Sequence, residues 1–130
     1  MRSIFLFTIS LFLLFVGCKK EDSATNTSSS IVGTWKLTKL TVNGTAQPVN
    51  YVETVKLNSD NTYTYTRIEN NQTYSDSGTY STANGKVTVT HQDHQSQTMD
   101  YTLNGNTLII TETDNSVTPP EVWVSEYTRQ

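Results

Sequence analysis

From Ile31 to the end of the chain, runs of alternating apolar and polar residues are broken at short intervals by turn signals. No stretch repeats its apolar residues at helical spacing. An alternating run presents one face to a core and the other to water. A chain built only from such runs must stack its strands as two sheets or curl them into one closed sheet. The first run, Ile31 to Val42, is closed by Asn43-Gly44, and a loop containing Pro48 follows. Tyr51 to Leu57 places Tyr51, Val55 and Leu57 on one face and Thr54 and Lys56 on the other. Asn58-Ser59-Asp60-Asn61 turns the chain into Tyr63 to Glu69, and Asn70-Asn71 breaks it again. Tyr74 to Ser81 leads to Asn84-Gly85, the strongest hairpin signal in the chain. Lys86 to His91, Gln97 to Leu103 and Thr107 to Thr113 follow, and Pro119-Pro120 precedes the last run, Glu121 to Arg129. About eight strands with short connections predict an all-β, antiparallel up-and-down barrel, with a two-sheet sandwich as the alternative.

Side-chain parity assigns the interior to Leu37, Val55, Leu57, Tyr65 and Val87, and further along to Val89, Met99, Tyr101, Leu108 and Ile110. All four phenylalanines precede Cys18, so this interior lacks the bulk of Phe, which leaves space for a cavity. The same residues serve equally well as the filled core of a domain of about 100 residues. Two strands leave parity open. Trp35 and Leu37 alternate out of phase with Leu40 and Val42, which predicts a bulge. Val122 and Val124 compete with Trp123 and Tyr127 for the interior.

The N-terminus carries an address. Behind Met1-Arg2-Ser3, Ile4 to Val16 is an apolar run interrupted only by Thr8 and Ser10, shorter than the ~20 residues that span a bilayer. Residues 1–17 therefore read as a secretion signal peptide. Phe15-Val16-Gly17-Cys18 resembles the lipobox of bacterial lipoproteins, with Phe15 standing where Leu is usual. The resemblance implies that Cys18 is lipidated and becomes the membrane-bound N-terminus of the mature protein. Lys19-Lys20-Glu21-Asp22 resembles the export signal of surface-displayed lipoproteins of the Bacteroidetes, and reads equally well as the solvated start of a tether. Ser23 to Ser30 is a small polar run, so residues 18–30 form a flexible linker and residues 31–130 one domain. The expected location is the cell envelope, lipid-anchored at the outer membrane, on its periplasmic or its outer face.

Within the domain, Gly33-Thr34-Trp35 opens the first strand, Asn58-Ser59-Asp60-Asn61-Thr62-Tyr63 comes midway and Gly78-Thr79-Tyr80 follows. This ordered set resembles the lipocalin-like domain lipoproteins of the Bacteroidetes. The resemblance implies a barrel closed at one end by Gly33 and Trp35, with a late basic residue packed over the indole. Arg129 is the candidate, and Arg67 the alternative. It also implies a calyx, small or filled, because the chain is shorter than full lipocalins and its single cysteine permits no disulfide within the domain.

The remaining chemistry is sparse. The formal net charge is −3, with no basic stripe, which argues against nucleic acid as a partner. His91 and His94, the only histidines, have a spacing that points them oppositely on a strand, and they are expected to be solvated loop side chains rather than metal ligands. The acidic residues read as scattered carboxylates on a solvent face. No nucleophile elbow, metalloprotease motif or phosphate-cradling loop is present in the sequence. The expectation is therefore a monomeric non-enzyme without cofactor or metal that binds a small hydrophobic molecule. A protein-interaction module with a filled barrel, acting through exposed Tyr and Trp123, is the alternative. An inhibitor acting through the Asp114–Pro120 loop is a third reading.

Overall fold

The computed structural model describes residues 30–130, so Cys18, the signal peptide and nearly all of the tether lie outside the described residues. Nine strands succeed one another: β1 (Gly33–Val42), β2 (Thr45–Gln47), β3 (Val52–Leu57), β4 (Thr62–Glu69), β5 (Gln72–Ala83), β6 (Lys86–His91), β7 (Ser96–Asn104), β8 (Thr107–Asp114) and β9 (Glu121–Arg129). From β3 onward each pairs antiparallel with the next, and β9 pairs with β1, which also pairs with β3. The sheet thus closes into an eight-stranded barrel, and β2 is a short flap on the far half of β1. Closure rules out the sandwich and leaves no long sheet edge unpaired.

Asparagine makes most of the corners. Asn43, Asn61, Asn70, Asn71 and Asn84 all take positive φ, the conformation that tight hairpins need and Asn tolerates. The parity conflicts resolve as geometry. The β1–β9 register shifts between Leu37 and Lys39, a bulge that turns Leu40 and Val42 back to the side already occupied by Trp35 and Leu37. On β9, Ser125 and Tyr127 face inward. Trp123 shares their parity but lies at the rim, 38% exposed, while Val122 faces out.

Ile31, Trp35, Leu37, Leu57, Tyr63, Tyr80, Val87, Leu108 and Tyr127 form the buried core. It is concentrated at one end of the barrel, around Trp35, which is fully buried. The other end is the mouth.

Candidate functional site: the barrel cavity

At the closed end, the Trp35 indole donates from Nε1 to the Ile31 carbonyl at 2.8 Å. The Arg129 guanidinium lies 4.2 Å over the indole ring and donates to the carbonyls of Val32 and Ser30, both at 2.7 Å. One planar cation therefore stacks on the floor and ties down the entering chain. Gly33 is required beneath it. Its φ is +150°, and a Cβ there would run into the Arg129 guanidinium. Arg67, the alternative partner for Trp35, is elsewhere: it lies 3.8 Å over the Tyr51 ring near the mouth and pairs with Glu69 at 2.7 Å.

Above this floor lies a cavity of about 410 Å³. Eight of the residues assigned to the interior line it: Val55, Leu57, Tyr65, Val87, Val89, Met99, Leu108 and Ile110. Leu37 and Tyr101 do not. Leu37 is consumed by the core against the floor, and Tyr101 is half-buried against that core.

Each strand changes character as it climbs from floor to mouth. On β3 the inward residues run Leu57, Val55, Glu53; on β6, Val87, Val89, His91; on β8, Leu108, Ile110, Glu112. On β5 the climb ends at Asp76, whose neighbour Gly78 is small for a reason: a Cβ there would collide with the Thr90 carbonyl and press on the Tyr63 ring. The cavity thus has an apolar lower half and a polar girdle.

Expecting all acidic residues on the solvent face is corrected here. Glu53 is only 7% exposed, and both carboxyl oxygens accept phenolic protons, from Tyr127 at 2.7 Å and Tyr65 at 3.0 Å. Burial, and then the facing Glu53, push both phenols above their ordinary pKa, which keeps them protonated as donors. The sequence reading of this strand left Glu53 unplaced, although alternation puts it on the face of Val55 and Leu57. Period-two alternation was the available signal, and the general rarity of buried carboxylates hid it.

His91 is likewise not a solvated loop residue. It ends β6, and its Nδ1 sits 2.6 Å from Asp76 Oδ2 and 2.9 Å from the Tyr63 hydroxyl. Tyr63 also donates to Asp76 Oδ2, at 2.6 Å. That hydroxyl bond is the main reason the Asp76 carboxyl is held below the usual carboxylate range, against the effect of burial. Burial and the same bond raise the Tyr63 phenol. His94, three residues on, adopts φ +66° in the exposed turn and takes no part. On the paired strands β7 and β8, Gln97 donates to Glu112. Among the described residues, no three His, Cys, Asp or Glu side chains converge as a metal site would require.

The model of the family described as "Lipocalin-like domain" matches residues 31–110, from the strand that carries Trp35 into β8. The chain belongs to the lipocalin-like domain family. No curated protein matches it. In this lipocalin-like domain the matched segment supplies most of the cavity wall, while β9 beyond it brings Arg129 to the floor and Tyr127 to Glu53.

Proposed function

We propose that the lipocalin-like domain is a binding module of the bacterial envelope that holds one small, largely apolar molecule in its calyx and performs no reaction on it. The observation that supports this most is the cavity of about 410 Å³ with an apolar lower half, a size within the ~300–1,000 Å³ range of small-molecule sites. His91, Asp76 and Tyr63 bond to one another, and among the described residues none of the three is bonded to a Ser or Thr hydroxyl or a Cys thiol that a base would activate. They serve as a fixed polar wall.

The anchor is the second half of the proposal. The lipobox-like Phe15-Val16-Gly17-Cys18 and the polar tether support a Bacteroidetes-type lipoprotein of the outer membrane, on the surface or facing the periplasm. Ser30 leaves the barrel at its closed end, where Arg129 holds its carbonyl. Cys18→Ser is expected to abolish incorporation of labelled fatty acid, and incorporation by that variant would refute the lipobox.

Binding is tested with the neutral dye N-phenyl-1-naphthylamine on the full chain in a non-ionic detergent. The cavity-filled variant Val89→Trp serves as the blank. Saturable one-to-one fluorescence enhancement in the parent but not in the blank is expected. Equal signals from both would refute the cavity. They would favour the other reading, a partner-binding edge, to which Val117, Val122 and Trp123, all exposed near the mouth, are suited.

A further inference from the structure

The polar half of the calyx specifies the charge of its occupant. We propose that the cavity takes a cationic amphiphile, a molecule with an apolar body and an ammonium or comparable organic cation at its head. This rests on the reading of the barrel as a small-molecule calyx and adds the charge of what it holds.

The cavity itself is the site; its wall decides between ligands. Glu53 from β3, Asp76 from β5 and Glu112 from β8 bring three carboxyl groups to it from different sides of the barrel. Among the described residues that line it there is no lysine or arginine. Their partners are unequal. Asp76 has His91. Glu53 is bonded by two phenols and Glu112 by the Gln97 amide, all neutral donors, and no Lys, Arg or His forms an ion pair with either among the described residues. Arg67, on the inward face of β4 one step above Tyr65, stands directly opposite Glu53 in the strand pairing, but its guanidinium is turned to Glu69 and stacked on Tyr51 rather than ion-paired with Glu53.

In a partly enclosed cavity, carboxyl groups whose direct hydrogen-bond partners are neutral attract a cation and repel a second carboxylate more strongly than they would in water. Fatty acids, the obvious apolar guests, are therefore disfavoured at the head even though the lower half suits their chains. The three carboxyl groups do not converge on a point, so a metal ion has no coordination shell there. A broad organic cation spans such a girdle, and Tyr63, Tyr65 and Tyr127 line the same wall.

The test is displacement of the neutral dye from the full chain by three guests of equal length: decylammonium, decanol and decanoate, at neutral pH, with Val89→Trp as blank. Decylammonium is expected to displace the dye at a concentration about tenfold or more below that of decanoate. Glu112→Gln, at a half-buried position, is expected to narrow that gap several-fold. Decanoate matching decylammonium, or an unaltered gap in Glu112→Gln, would overturn the proposal while the calyx stands. A parent chain that takes up no dye fails one step earlier, at the cavity itself, and the proposal falls with it.

Discussion

Two side chains carry the floor, and their partnership sets what single changes cost. Trp35 has no exposed surface, so Trp35→Ala is expected to destabilise the domain by ~3–5 kcal/mol in denaturant titration. An unchanged midpoint would show that the ring closes nothing. Arg129→Lys keeps the charge but loses the planar stack and one of its two carbonyl bonds, and about 1–2 kcal/mol is expected to go with them. The Gly-x-Trp pair and a late basic partner were legible because they follow from resemblance to a family. Glu53 and His91 were not. A carboxyl or imidazole on a strand is ordinarily a surface group, and only the tyrosines that meet them make the interior acceptable to them. Tyr65 comes from the neighbouring strand, but Tyr63 with His91 and Tyr127 with Glu53 link residues far apart in sequence, and no local pattern announces them.

These pairings also fix the pH behaviour. The folded state holds Asp76 below its ordinary carboxyl range, so Asp76 contributes stability above its unfolded value of about 4 and loses that contribution as pH falls through the lowered folded value. Asp76→Asn is expected to flatten this part of the acid limb of a stability–pH curve. The phenols of Tyr63, Tyr65 and Tyr127 are raised, so their contribution is complete below about pH 10 and declines as pH climbs further toward the folded values. Ultraviolet titration is expected to show these three ionising together with unfolding. Reversible ionisation of all tyrosines near pH 10 in the folded state would contradict the buried hydroxyl bonds.

At the level of elements, strands and corners were the most readable part of the chain. Alternation and the Asn-rich turns placed eight strands close to where they lie, since both signals are local. Strand ends were less legible. The hairpin around Asn70-Asn71 extends pairing to Glu69 and Gln72, making β5 longer than its apolar core suggests, because its additional residues pair through the backbone with side chains in water. The flap β2 carries no apolar pattern and exists only by pairing with Leu40–Val42. The bulge near Thr38 was visible as a phase slip, and the structure adds its tie, the Thr38 hydroxyl donating to the Glu126 carbonyl at 3.0 Å. β9 bonds to both β8 and β1 and so completes the ring. Removal of residues 121–130 is expected to expose two edges and abolish cooperative unfolding, with aggregation visible by light scattering. A monomeric, cooperatively melting truncation would show that closure is dispensable.

At the scale of the molecule, the barrel was foreseeable as one of two architectures, and the choice between them lay in a pairing between its first and last full-length strands that no local pattern encodes. Whether the barrel was hollow or filled was equally beyond the residue pattern. The answer depends on how far side chains from opposite walls reach, and the lack of Phe in the domain was the one compositional hint. The resulting domain is polarised: a packed, Arg-stapled floor at which the described chain begins, and an apolar calyx rising to a carboxyl-rich girdle at the opposite mouth. That this space holds a guest is tested most directly by native mass spectrometry of the full chain released from non-ionic detergent, beside Val89→Trp with its cooperative melting verified. A single small-molecule adduct is expected on the parent, one that collisional activation removes and that the filled variant lacks. The same adduct on both proteins, or none on the parent after exposure to cationic, neutral and anionic amphiphiles, would contradict it.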